Sequence, residues 1–382
     1  MVMGTILKAL MLVLTAGFIN GSFAAPMKYM NRWSEENVWF VFSFFGFLIL
    51  PWLTLFIMVP DVFDIIRTIP TGLLLIIILG GIGFGIGQIA FALSFQCIGI
   101  GLAFVINISM GTSGSALIPI LWHKGVMGTA YSYLQIIGIM LFILAVIFGA
   151  YAGIERDKNK GRSNEKSDPK IRKIRPGLFM MGILLAVFAG AGSVSQGVTY
   201  IWSNPAVSEL AVNSFGSDKI GSAIITWVII FSSAWIPYAV YFFVLSLKRR
   251  TCANIFRGPV LSYWFLTVLM GCGFWGSLIL FSTASNEIGG NLAPTIAWPL
   301  FMAFIILTSY FWSWRSDEWK NAGEKAYHKM FASIFIFVMA IIVFSCSSSL
   351  QPRNPKTPND KYHNIHYQHI KHDNYPVYKL GR

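Results

Sequence analysis

The stretch GGIGFGIGQIAF, Gly80–Phe91, places five glycines in its first eight residues. A phosphate-cradling loop is one reading of such a run. A dinucleotide loop needs glycines at i, i+2 and i+5, directly after a strand. No such triple exists here, and the flanking residues are a continuous apolar run rather than a strand bounded by turns. The second reading is a helix built for close approach. Gly81 and Gly85 are four residues apart, as are Gly83 and Gly87. That spacing puts two small-residue rows on adjoining helix faces, which lets neighbouring helices come near backbone contact.

The rest of the chain supplies the setting such a helix requires. Of 382 residues, 55% are hydrophobic and only 12% charged, with a mean hydropathy of +0.63. Soluble domains carry roughly 25% charged residues. The apolar residues fall in runs long enough to cross a hydrocarbon core, which takes about 20 residues of helix. Ten such spans are predicted, at 4–23, 37–59, 71–96, 98–122, 130–153, 177–200, 221–247, 261–285, 293–314 and 329–349. The expected fold is an all-α polytopic membrane protein.

Shifting the chain by 190 residues lays 81–106 (GIGFGIGQIAFALSFQCIGIGLAFVI) on 271–296 (GCGFWGSLILFSTASNEIGGNLAPTI), with ten identities in 26 positions. Gly81/Gly271, Gly83/Gly273 and Phe84/Phe274 are among them, and Pro51-Trp52 pairs with Pro237-Tyr238 one span earlier. The chain therefore divides into a first five-helix repeat (1–153), a basic linker (154–176), a second five-helix repeat (177–349) and a polar tail (350–382). An odd number of spans per repeat inverts the second half in the membrane, a plan shared by many secondary transporters.

The net charge of +13 follows topology rather than a nucleic-acid surface. Lys and Arg crowd the odd-numbered connections: Lys28 and Arg32, nine residues between Arg156 and Arg175, Lys248 to Arg250 with Arg257, and Arg315 with Lys320, Lys325 and Lys329. The even connections hold Arg67, Lys124 and Lys219 alone. Positive charge marks the cytoplasmic side, so both termini are expected outside, although the tail adds six more basic residues there. Lys8, its apolar run and GSFAA resemble a cleavable signal peptide. The charge-free first seven residues and the repeat, which needs a first span, argue for retention.

Several segments are similar to those of one family. Ala25-Pro26-Met27-Lys28 and Arg32-Trp33-Ser34 resemble its "APFK…KWS" segment after the first span, Ile49-Leu50-Pro51-Trp52 its "ILPW", and Gly85-Ile86-Gly87-Gln88-Ile89 its "GIGNI". Trp298 in IAWPL and Glu318–Gly323 (EWKNAG) fit its last two spans. The chain thus resembles the L-rhamnose–proton symporter family of the drug/metabolite transporter superfamily over most of residues 1–349. The resemblance implies a ten-helix inverted-repeat fold and uptake of a deoxysugar with protons across a plasma (bacterial inner) membrane.

A sugar path needs hydrogen-bonding side chains and ring faces in a mostly apolar wall. Candidate substrate-binding residues are Asn20 and Ser22 in span 1, Gln88 in span 3, Asn107 in span 4, Gln196 in span 6, and the rings of Trp275 and Trp298. Ser109, Thr112 and Ser195 are further polar span residues, and Ser22 and Ser195 are repeat-related when Ala16-Gly17 is laid on Ala189-Gly190. The bland alternative for each hydroxyl is a bond to its own helix's carbonyl, and for most tryptophans an interface anchor. No Asp, Glu or His falls in mid-span, so proton coupling would fall to Glu287, just past span 8, or to Lys8. Both also suit interfacial charges that reach out to water.

No cofactor or metal is expected. The four cysteines lack paired spacing, and the chain holds no ATP-binding motif. His363, His366, His369 and His372 recur every third residue in the tail, which reads as disordered polar chain or, alternatively, as a metal-binding tract. Asn204-Pro205 reads as the start of a short surface helix. Two other functions stay open: the same fold with another polar metabolite as cargo, imported or exported, and an intramembrane enzyme, which lacks acid–base residues inside the spans.

Overall fold

The computed structural model describes residues 2–122, 128–167, 176–288 and 298–350, and these are helical almost throughout. Helix α1 is Val2–Ser22. The second span is made of α2 (Glu35–Ser43), a π-helical turn (Phe44–Ile49) and α3 (Leu50–Met58). A short α4 (Val62–Thr68) precedes α5 (Thr71–Ile98) and α6 (Ile100–Trp122). Then come α7 (Ala130–Ser167), α8 (Pro176–Phe215) and α9 (Lys219–Lys248). The last three are α10 (Val260–Ile288), α11 (Trp298–Arg315) and α12 (Glu324–Ser349).

Among the described residues, eight helices are long and apolar enough to cross a membrane: α1, the α2–α3 unit, α5, α7, α8, α9, α10 and α12. The two other expected spans coincide with α6 (Ile100–Trp122) and with α11 (Trp298–Arg315). Rows of large apolar side chains point outward, such as Ile136, Met140, Ile143 and Ile147 on α7 and Met180, Leu184 and Phe188 on α8. In water these stripes would form apolar patches far beyond what monomeric soluble proteins expose. Against lipid they are the natural surface.

Local chemistry explains the element boundaries. Gly99, with φ +81°, ends α5 and lets α6 start one residue later. The Asp218 carboxylate caps α9 by accepting from the backbone N–H groups of Ile220 and Gly221 at 3.1 Å. Pro51 has no N–H to give to the carbonyl four residues back and its ring crowds that turn. The chain answers by widening to the π-helical turn just before it.

Two helices outrun their expected ends. The linker expected from 154 onward begins as helix, because α7 continues to Ser167. Its extension is tied down by Asn159, whose amide donates to the Ala322 carbonyl at 2.6 Å. Helix α8 likewise runs through Asn204-Pro205, so no separate surface helix starts there. At 40 residues it is about 60 Å long, twice the ~30 Å hydrocarbon thickness. Pro205 is tolerated because Val207 and Ala211, beyond it, are fully buried and α8 packs on α4. Tertiary burial overrides the local capping signal.

The packing is built around α5, which lies between α8 and α9. Helix α10 lies against α1 and the second span, α6 packs on α8, α11 on α1, and α7 on α12.

Candidate functional site

The glycine stretch positions the centre of the molecule. Gly80, Gly83 and Gly87 face α8, where they meet Thr199, Ser195 and Gly192. Gly81 and Gly85 face α9, where they meet Ile230, Ser233 and Ala234. A methyl built on Gly87 would lie 2.7 Å from the Gly192 Cα, and the reverse holds for Gly192. The backbones touch, as the two rows of small residues require.

Phe84, between the rows, enters a cluster of four rings. Phe47 and Phe231 are stacked at 5.6 Å, with their planes 21° apart. Phe84 lies 6.1 Å from Phe47 and 5.8 Å from Phe231. Phe274, its counterpart in the sequence repeat, lies 5.3 Å from each. The rings come from the second span, α5, α9 and α10, so residues from both halves of the sequence meet there.

Around this cluster, side-chain bonds tie neighbouring helices. The Asn20 amide, 8% exposed, donates to the Ser277 hydroxyl at 2.8 Å. The Trp275 indole donates to Thr54 and the Trp52 indole to Ser232, each at 2.8 Å. Asn107 accepts from Ser193 at 2.9 Å, and Ser195 donates to the Gly80 carbonyl at 3.2 Å. Ser22 satisfies its own helix, donating to Phe18 at 2.7 Å, yet also accepts from the Trp312 indole at 2.8 Å. Gln88 and Gln196 are half-buried and hold no hydrogen bond to a described residue.

Asn20, Asn107 and Trp275 are thus buried between helices. The remaining candidates are placed differently. Lys8 is exposed and, at 1.5 Å per residue, sits about 18 Å along α1 from Asn20. Glu287 and Trp298 fall on the last turn of α10 and the first of α11, and their side chains lie outside the described residues. So does the histidine tail. Ser109 is buried with no partner for its hydroxyl among the described residues.

A second polar region lies at the end of the bundle where the odd-numbered connections gather. A cavity of about 320 Å³ is lined there by Lys28, Asn31, Trp33, Glu35, Gln96 and Glu318 among apolar side chains. Lys28 and Glu318, 290 residues apart, form an ion pair at 2.5 Å. Ser313 also donates to Glu318 at 2.5 Å. The Arg156 guanidinium stacks over the Trp319 ring at 5.3 Å and donates to the Ile98 carbonyl at 3.2 Å. Beside the cavity, Glu36 is only 1% exposed and is held by Arg249 at 3.0 Å and Thr251 at 2.8 Å. Glu35 accepts from the Gln96 amide. The family-like segments after span 1 and before span 10 meet here. In the sequence these three carboxylates lie at or just beyond span ends, where a charge looks interfacial. The signal available was that Lys28 and Glu318 both belong to the segments of resemblance.

The described residues contain no group of three or more His, Cys, Asp or Glu able to hold a metal ion, and none of the four cysteines is in a disulfide among them.

Known proteins place this arrangement. No solved structure matches the chain. Curated relatives do. The L-rhamnose-proton symporter of Mannheimia succiniciproducens is 24% identical over 327 residues, covering 83% of this chain and 91% of that protein. Those of Pectobacterium carotovorum and Yersinia pestis are 24% and 22% identical over 331 and 329 residues, with the same coverage. The apolar helices and these relatives make the protein a multi-pass membrane transporter and not an enzyme. The family model described as L-rhamnose-proton symport protein matches residues 1–348, and the chain belongs to that family.

Proposed function

We propose that the protein is a secondary transporter that takes up L-rhamnose or a similar deoxysugar together with protons. The observation that carries the reading is the family match over residues 1–348. The architecture we propose is ten membrane-spanning helices in two inverted five-helix repeats, 1–153 and 177–349. The helix pairings support it. Exchanging the halves turns α5 on α8 into α10 on α1, α6 on α8 into α11 on α1, and α5 on α9 into α10 on the second span; α7 on α12 maps onto itself. The odd-connection end, with its basic residues, is the cytoplasmic end of a bacterial inner membrane, and both termini lie outside.

The path runs between the repeats. The ring cluster of Phe47, Phe84, Phe231 and Phe274 supplies apolar faces for the sugar's C–H surface, and Asn20, Asn107, Gln88, Gln196 and Trp275 supply donors and acceptors for its hydroxyls. Gln88 and Gln196 are the best placed, because their amides hold no competing bond among the described residues.

Uptake of labelled L-rhamnose into proteoliposomes, with and without an inward proton gradient, tests the reading. Gradient-driven accumulation is expected. Absence of uptake of L-rhamnose, L-fucose and every other deoxysugar by well-folded protein would remove the substrate assignment. The relatives share under a quarter of their residues with this chain, so the panel extends to other polar metabolites.

A further inference from the structure

A symporter needs one group whose proton comes and goes within the transport cycle. The three carboxylates at the cavity end differ in the partners they keep. Glu318 has Lys28 at 2.5 Å and the Ser313 hydroxyl. Its other oxygen borders Gly99, next to the Arg156 guanidinium. Glu36 has Arg249 at 3.0 Å and the Thr251 hydroxyl. Glu35 is half-buried and, among the described side chains, only the neutral Gln96 amide hydrogen-bonds to it. We propose that Glu35 is the proton-carrying group of the transporter, taking up and releasing its proton in the cavity it shares with Lys28, Trp33 and Glu318.

Three physical arguments support it. An adjacent cation holds a carboxylate ionised, whereas partial burial and a neighbouring anion favour its protonation. Glu35 has the last two conditions: Glu36 follows it in the chain, and Glu318 lines the same cavity. The nearby cations, Lys28 and Arg249, pair with Glu318 and Glu36, and Arg249 reaches Glu35 only as the weakest of the charges and bonds acting on it. The N-terminus of α2 favours both Glu35 and Glu36 as anions, so it does not separate them; the cation contacts do. From α5, Gln96 and Cys97 face Glu35, and neither brings a positive charge.

Second, the cavity is of a size that takes small polar ligands, pockets for which run from about 300 Å³ upward. Trp33 lines it, is 5% exposed, and its indole N–H has no partner among the described residues. A buried donor left unpaired is expensive, and a small turn of the ring toward the cavity would let a ligand hydroxyl or water satisfy it. Third, the Glu35–Gln96 bond joins the start of the second span to the end of α5. Protonation replaces an ionic acceptor by a neutral one and weakens that link, since bonds to ionised groups are about twice as strong. The proton state is thereby coupled to how the two helices are held at the cavity mouth.

The proposal rests on the symport reading, and Glu35→Gln tests it separately. Reconstituted E35Q is expected to exchange labelled for unlabelled L-rhamnose with little pH dependence, but to lose gradient-driven accumulation and sugar-induced proton uptake. Glu35→Asp, which keeps a titratable group, is expected to restore both in part. Accumulation by E35Q at the wild-type level would overturn the assignment. So would loss of exchange and accumulation together in both variants, which would mark Glu35 as structural. Wild-type protein that carries the sugar without any proton dependence would defeat the symport reading itself, and the proposal with it.

Discussion

Helices α5 and α10 carry the same glycine motif 190 residues apart and use it differently. On α5 every glycine of Gly80–Gly87 is in contact with a neighbouring helix too close to admit a methyl group. On α10 only Gly271 is comparably enclosed, with the Phe45 Cβ and the Gly46 nitrogen at 3.0 and 3.1 Å from a built methyl. Gly273 has its nearest neighbour, the Phe23 Cβ, at 3.4 Å, and Gly276 has nothing within 4 Å. The repeat preserves two of the glycine positions, Gly81/Gly271 and Gly83/Gly273, and the structure shows that only the α5 copy is packed to the limit. In α5 the motif fastens α8 and α9 together. In α10 it leaves slack beside the Asn20–Ser277 and Trp275–Thr54 bonds, which suits a helix that shifts during transport.

The comparison is most easily broken at the α5–α8 crossing. Gly87→Ala and Gly192→Ala each place a methyl against the facing backbone, with no flexible side chain to give way. Overpacking of this kind costs about 1–3 kcal/mol. Each variant should melt at lower temperature in detergent, and Gly87→Val should fail to yield monodisperse protein. The double variant should cost less than the sum of the singles, because one methyl already parts the helices and makes room for the second. Additive costs would mean that the contact is not the one described.

Much of this was legible in the sequence. Two glycine rows four residues apart fixed both partner faces of α5, because helix geometry converts spacing directly into direction. The positions of the eight membrane-crossing helices followed from the lengths of apolar runs. Pro205 misled, because a capping signature is local while the burial of Val207 and Ala211 is tertiary. The carboxylates at the cavity were illegible for a related reason. Lys28 and Glu318 are 290 residues apart, and nothing in either neighbourhood states that they meet. Glu287 and Lys8 are legible as charges near spans, but spacing alone does not say whether a charge faces a partner, a cavity or lipid.

A smaller effect is expected on the looser helix. Trp275→Phe keeps the ring beside Phe231, 5.8 Å away, and removes the N–H that Thr54 accepts. Thr54 retains its bonds to the Leu50 and Pro51 carbonyls, so no buried donor is orphaned and the loss should be about 1 kcal/mol. If α10 moves in the cycle, this variant should change the maximal rate of rhamnose exchange more than the melting temperature. An unchanged rate with lowered stability would reduce Trp275 to packing.

The smallest effect has the opposite sign, and that makes it diagnostic. Gly276 lies inside α10 with open space where a side chain would go. Alanine there meets no clash and gains helix propensity, up to about 1 kcal/mol over glycine. Gly276→Ala should therefore raise the melting temperature slightly, while Gly87→Ala, the same chemical change on α5, lowers it. If transport also slows in the stabilised variant, the slack on α10 is functional, since nothing in the resting packing has been lost. If transport is unaffected and stability falls, a neighbour closes on Gly276, and the distinction between the two glycine helices is wrong.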